Sequence, residues 1–305
     1  MIRYILKRLW LGLITLIGVT IIVFAASRST GDVALMLLPR NATQEQIHAM
    51  HVKLGTDKPI PVQYVIWVKN ALHGDFGKSI NYDRSTMEII AARIPTTLTL
   101  GLTAFLIGNG LGILFGILSA TRRNKLLTGT TTVFGLLGQA MPNFWIGIIL
   151  IMLFGVKLHW LPTSGIGGIK KLIMPAFALS WFSIAFVMRI TRSAMLDVLD
   201  SDYIKTARSK GNPEWLVVWK HALKNAAMPI VSMAGMQLAF LIGGAVFIET
   251  VFRRPGIGVL MIDSINNRDY PVTVAIVLIV TVSIILINLL VDILYVFIDP
   301  RIKYD

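Results

Sequence analysis

Residues 98–120 read LTLGLTAFLIGNGLGILFGILSA, with no charged side chain and with Gly108, Gly112 and Gly116 recurring every four positions. A bilayer crossing takes about 20 mostly apolar residues, so this stretch decides the class of fold. It is a helix in lipid, and glycines one turn apart strip one face of side chains so that a neighbouring helix packs closely. A groove for cargo along that stripe is the alternative reading.

Working outward, five more stretches meet the same length criterion, at residues 9–26, 131–156, 172–188, 229–248 and 271–298. The last exceeds a perpendicular crossing and is expected to tilt or run past the bilayer. The first follows Arg3, Lys7 and Arg8, but its apolar run is longer than that of a cleaved signal, so it reads as a retained helix. Of 305 residues, 55% are hydrophobic and 15% charged, against about 25% charged in soluble domains. A soluble globule is excluded. Cysteine is absent, which removes disulfides, thiolate nucleophiles and Cys-ligated metals. The net charge of +13 serves topology and anionic lipid contact, not nucleic acid.

Counting Lys and Arg chooses the orientation. With residues 1–8, 121–130, 189–228 and 299–305 inside, 15 basic residues fall in 65 positions, against 14 in 99 for the opposite loops. Both termini are then cytoplasmic. Residues 28–93 form a loop too long to be structureless and read as a folded extracytoplasmic cap. Thr43 and Gln46 have capping-box spacing, Gly55 ends that helix, and a second helix over 62–72 follows Pro61. The expected organisation is an all-α membrane protein: tail and first span (1–27), cap (28–93), and a core of five spans (94–305) with a cytoplasmic segment at 194–228.

Catalytic signatures are missing. Gly77-Lys78-Ser79 ends like a phosphate-binding loop, but the pattern requires Gly where the chain has Leu72. There is no H-E-x-x-H and no G-x-S-x-G. The chain reads as a non-enzyme, and ATP, if used, is hydrolysed by a separate chain.

Within 194–228, Ser201 or Asp202 can cap a short helix through Tyr203, Lys205, Thr206, Ala207 and Arg208 that ends at Gly211. A second helix starts at once, with Asn212 as N-cap and Pro213 at its first position, and its apolar face is expected to carry Trp215, Val218, Trp219 and Ala222. The break between the helices favours a surface gripped by another protein, with Thr206, Ala207 and Gly211 allowing close approach. An amphipathic helix on anionic lipid is the competing reading.

This segment resembles the coupling loop of bacterial ABC-importer permeases, whose pattern is Glu-Ala-Ala, three residues, Gly, nine residues, then Ile-x-Leu-Pro. Lys205-Thr206-Ala207, Gly211, His221 and Leu223 occupy the corresponding positions, with Lys224 in place of Pro. The departures match the peptide and nickel branch, as do Arg3-Tyr4, Gly31-Asp32, the run from Gly74 to Ser79, the run from Ile94 to Leu98, Pro255-Gly256-Ile257-Gly258, Arg268-Asp269-Tyr270-Pro271 and Asp299-Pro300-Arg301. The resemblance implies one half of a two-permease pore in a bacterial inner membrane. It further implies a homologous sister permease, two cytosolic ATPases that bind the ATP and Mg2+, and an extracytoplasmic binding protein. The implied cargo is a dipeptide, oligopeptide or glutathione, with nickel or a nickel chelate as the alternative. An ion-coupled secondary transporter is the competing class, disfavoured by the lack of an internal repeat and of central charges.

Several polar residues fall inside the apolar stretches. Pro142 is expected to kink the third span, leaving the carbonyl near Gly138 to Gln139 or Asn143. Gln139, Pro142, Asn143, Gln237 and Glu249 are the pore or gate candidates. Glu249 lies beside Arg253 and Arg254, where a role in loop architecture is the bland alternative. Asn288 and Asp292, one turn apart on the sixth span, read as a structural ion-pair site near the cytoplasmic end. His48 and His51 have a spacing that can hold a divalent metal, but no third ligand is evident, and no metal site is assigned.

Overall fold

The computed structural model describes residues 2–29, 38–39, 41–54, 56–122 and 125–298. Gly31-Asp32, Gly55 and Asp299-Pro300-Arg301 lie outside them. The described residues are mainly helical, with no strand beyond a single bridge between Lys78 and Ser85. The helices are α1 (Ile2–Ser29), α2 (Gln44–Leu54), α3 (Ile60–Leu72), α4 (Thr86–Thr121), α5 (Lys125–Ala140), α6 (Asn143–Leu150), α7 (Lys170–Leu199), α8 (Asp202–Ser209), α9 (Glu214–Leu216), α10 (Leu223–Val251), α11 (Ile257–Asn266) and α12 (Tyr270–Ile298). Two π-helical segments, Ile151–Lys157 and Val217–Ala222, extend α6 and join α9 to α10.

Among the described residues, four helices are long and apolar enough to cross a membrane: α1, α4, α7 and α12. Two bent pairs add up to two more crossings, and each departs from the sequence expectation. The third stretch does not kink but turns through 108° between Gly129–Ala140 and Asn143–Lys157. Pro142 lacks an N–H, disfavours helix at Met141, and starts a new helix, with the Trp145 and Ile146 amides donating to its carbonyl. The other pair, Glu214–Leu238 with Gly243–Val251, bends by 61°. Pro229, expected to begin a span, lies inside α10, a position that membrane helices tolerate. α7 also runs eleven residues past its expected end at 188, because Ala194, Met195 and Leu199 continue its buried face.

The chain divides into two compact units. The unit made of 6–94 and 260–285 contains α2 and α3. Its α2 opens with the capping box read from the sequence: the Thr43 amide donates to Gln46 Oε1 at 3.0 Å and the Gln46 amide to Thr43 Oγ1 at 3.3 Å. Pro61 sits in the first turn of α3. Tyr64 on α3 bonds Thr20 of α1 at 2.7 Å and meets Phe24 edge-on.

The unit made of 1–5, 95–259 and 286–305 carries the bundle. Its glycine stripe packs against α7. A Cβ on Gly108, Gly112 or Gly116 would lie 2.7, 2.7 and 2.5 Å from Cβ of Ser183, Val187 and Thr191. The stripe is a helix-packing seam, and the groove reading does not hold there. One core cluster joins α4, α7 and α10 through Leu100, Met174, Leu179, Ile248 and Phe252. A second joins Met195 of α7 to Ile204 and Ala207 of α8 and to Val217, Val218 and Ala222. Each fully buried aliphatic side chain of that size contributes about 1.5–3 kcal/mol, which fixes the short helix α8 to the bundle.

Candidate functional site

α8 is eight residues long, and its two faces differ. Ile204 is fully buried and Ala207 nearly so, at 9% exposure. Asp202, Tyr203, Lys205, Thr206 and Arg208 are exposed. Ala207 therefore does not contribute to an outward docking face, contrary to the sequence reading. The i, i+3 pair of apolar residues on so short a helix is spent on the chain's own core. Outward, Lys205 Nζ meets Asp202 Oδ1 at 2.8 Å. The helix ends as expected at Gly211, whose φ of +76° is the left-handed conformation that glycine adopts without strain.

The capping residues work differently from the expectation. Ser201 occupies the N-cap position without a side-chain cap bond, and its hydroxyl donates back to the Val198 carbonyl. Asn212 does not cap the following helix. Its Nδ2 donates to the Ala207 carbonyl at 2.9 Å and closes the C-terminus of α8, while Pro213 takes the N-cap position of α9. Across the turn Arg208 grips Glu214, and this contact holds the Glu214 carboxyl below its ordinary range and raises the Arg208 guanidinium. The four apolar residues beyond do not share one burial, and the helix there takes wider i to i+5 turns over Val217–Ala222. Val217, Val218 and Ala222 point inward, and Trp215 and Trp219 are 66% and 50% exposed.

The pore and gate candidates do not converge on one place. Asn143, at the first position of α6, donates through Nδ2 to the Leu179 carbonyl of α7 at 3.4 Å, so it ties two helices together and leaves the Gly138 carbonyl alone. Gln139 lines a cavity with Arg189 and Arg192. Gln237 is buried on α10, and its amide makes no hydrogen bond to a described residue.

Glu249 is fully buried and is an architectural hub. Its carboxylate accepts hydrogen bonds from the Thr97 hydroxyl, the Gly258 amide at 2.8 Å and the Val259 amide at 3.4 Å. Thr97 Oγ1 in turn accepts from the Ile257 amide at 2.9 Å. An anionic side chain thus sits against the opening amides of α11, where the helix dipole favours it. Gly256 and Gly258 are required for this approach, since a Cβ on either would fall 2.1 and 2.9 Å from the carboxylate oxygens. Arg254 is nearly buried and donates to the carbonyls of Gly165 and Lys171. Burial lowers its pKa from the ordinary value and the Glu249 charge opposes that shift.

The other unit holds a second buried carboxylate, from the Arg268-Asp269-Tyr270-Pro271 string. Asp269 is fully buried and accepts from the Ser79 hydroxyl, the Ile80 and Asn81 amides and Asn81 Nδ2. Gly77-Lys78-Ser79 thus holds a carboxylate site within its own chain. The signal for both hubs was present, because Thr97, Ser79 and Asp269 lie in the family-like strings, but no spacing rule links residues so far apart. His51 Nδ1 is engaged with Thr56 Oγ1 at 2.7 Å, and among the described residues no group of three metal-ligating side chains forms.

Among the described residues the chain is mainly helical, with four helices long and apolar enough to cross a membrane, or up to six if each bent pair is one span. Two family models match it: the binding-protein-dependent transport system inner membrane component over residues 112–304, and the N-terminal part of the same membrane component over 1–101. The chain belongs to this family of ABC-transporter permeases. It is 40% identical over 316 residues to the oligopeptide transport system permease protein AppB of Bacillus subtilis, spanning all of both chains. It is 38% identical over 310 residues, 99% of each chain, to a probable peptide ABC transporter permease of Sinorhizobium fredii. In fold it resembles the inward-facing MetNI methionine ABC transporter, with a TM-score of 0.60 and 19% identity over 70% of this chain and 97% of that one.

Proposed function

We propose that this permease forms half of the translocation pore of an ATP-driven peptide importer, with α8 as the element that receives the ATPase stroke. The observation that carries the reading is the construction of α8. One face is buried in the bundle core, the other carries exposed Asp202, Tyr203, Lys205, Thr206 and Arg208, and the Gly211 turn and Arg208–Glu214 pair hold its end in place. A motion imposed on such a helix passes into α7 and α10 through packed side chains. The whole-length relatives named as peptide permeases support the cargo class.

In this reading the chain crosses the membrane six times, the bent pairs being one crossing each, with both termini in the cytoplasm and α2 and α3 in an extracytoplasmic cap. The sister permease completes the pore, two cytosolic ATPases bind ATP and Mg2+, and an extracytoplasmic binding protein delivers peptide. The test is uptake of labelled peptide and of nickel, side by side, in cells lacking the permease. Loss of peptide uptake with nickel uptake intact is expected, and the reverse would overturn the cargo assignment.

A further inference from the structure

A cavity of about 190 Å3 opens between α4, α5 and α7, lined by Ser119, Leu136, Gln139, Met188, Arg189 and Arg192 among others. Its lining holds two guanidinium groups and no carboxylate. Arg192 is fixed by one bond, Nη1 to the Ser119 carbonyl at 2.8 Å, which leaves most of its five N–H donors unspent. Arg189 is exposed and stands with Cζ 5.9 Å from the Phe186 ring centroid. Neither guanidinium pairs with a carboxylate among the described residues. The remaining wall is largely apolar, from Leu136, Met188 and Gly135.

The depth of the site is set by helix length. Counting from Lys170, where α7 begins, a crossing of about 20 residues ends at Arg189. α4 ends at Thr121, two residues beyond Ser119. The arginines therefore stand at the level of lipid headgroups, and basic pockets between membrane helices at that level take anionic headgroups. We propose that the cavity binds a phosphate diester, that of an anionic phospholipid, between Arg189 and Arg192, with an acyl chain lying against Leu136 and Met188. The proposal needs the chain to be membrane-embedded and is independent of the cargo.

The probe is phosphatidylglycerol. The complete importer, with its sister permease and ATPases, is reconstituted in vesicles of equal phosphatidylglycerol and phosphatidylcholine, then extracted in detergent, and the lipid retained per complex is measured by native mass spectrometry. The wild type should retain phosphatidylglycerol preferentially. Arg189→Gln, at an exposed position, should lower that retention about fivefold. Leu136→Trp, which fills the apolar wall and leaves both arginines in place, should lower it as well. Excess inorganic phosphate should not displace the lipid. Equal retention of both lipids by the wild type, unchanged retention in both variants, or displacement by inorganic phosphate would overturn the assignment, the last by making this a site for free anions.

Discussion

Arg208 holds Glu214 across the Gly211 turn through two near-parallel contacts, Nη2 to Oε1 at 2.7 Å and Nε to Oε2 at 3.2 Å. Both side chains are substantially exposed, at 41% and 59%, so the pair orients the two helices and adds little to global stability. Its pH dependence has a definite sign. The folded-state Glu214 pKa is depressed, so the contribution is present above the ordinary value of 4.5 and is lost as pH falls through the lower folded value. Protection of the amides over residues 203–216 should hold above pH 4.5, fall as pH drops from 4.5 towards the lower folded value and level off below it, and Glu214→Gln should flatten the response.

The Glu249 hub predicts steep losses of stability. Thr97→Val removes a donor to a buried carboxylate and the acceptor for the Ile257 amide, and should cost about 1–3 kcal/mol for each group left unpaired. Gly258→Ala places a Cβ 2.5 Å from the Val246 Cα and close to the carboxylate, so both backbones must move. Thermal melting of the detergent-purified permease should show both substitutions as destabilised, with Gly258→Ala the worse.

The helix seam predicts a contrast between glycines on one helix. A Cβ on Gly116 would meet Thr191 Cβ at 2.5 Å and the Met188 carbonyl at 2.8 Å, whereas one on Gly110 meets nothing within 4 Å. Gly116→Ala should cost about 1–3 kcal/mol, and Gly110→Ala should be neutral or slightly stabilising. Equal melting temperatures for the two variants would contradict the seam.

Much of this architecture is legible in the sequence. Apolar runs located the long apolar helices, the Thr43–Gln46 spacing gave the start of α2, and glycine spacing gave a close-packing face on α4 without naming its partner. Three features were not legible, each for a physical reason. The 108° turn at Pro142 needs tertiary packing to choose it over a kink. The 3.6-residue pattern grouped Trp215 and Trp219 with Val218 and Ala222 on one apolar face, but only Val218 and Ala222 are buried, because spacing alone does not separate core-facing residues from those at the edge of the face. The orientation of α8 was ambiguous because eight residues carry too few apolar positions to separate a core face from a docking face, and Ala207 fell on the wrong side.

Asp269 predicts a local failure. It gathers the Ser79 hydroxyl and the Ile80 and Asn81 amides, so Asp269→Ala should free that loop while the α4–α7 seam, in the other unit, is retained. Limited proteolysis should find new cleavage between residues 74 and 84, with the remaining fragment pattern unchanged.

The central claim, that the exposed face of α8 couples this permease to ATP hydrolysis for peptide import, is tested most directly by ATP-driven uptake of labelled peptide into proteoliposomes carrying the complete importer with Tyr203→Asp and Thr206→Glu in this chain. Both positions are exposed, so the variant should melt like the wild type and retain its sister permease. A charge at Ala207 would test the core instead. The account predicts that the ATPases no longer co-purify, or no longer respond to peptide-loaded binding protein, and that uptake is lost. Undiminished ATPase association and uptake in this variant would contradict it.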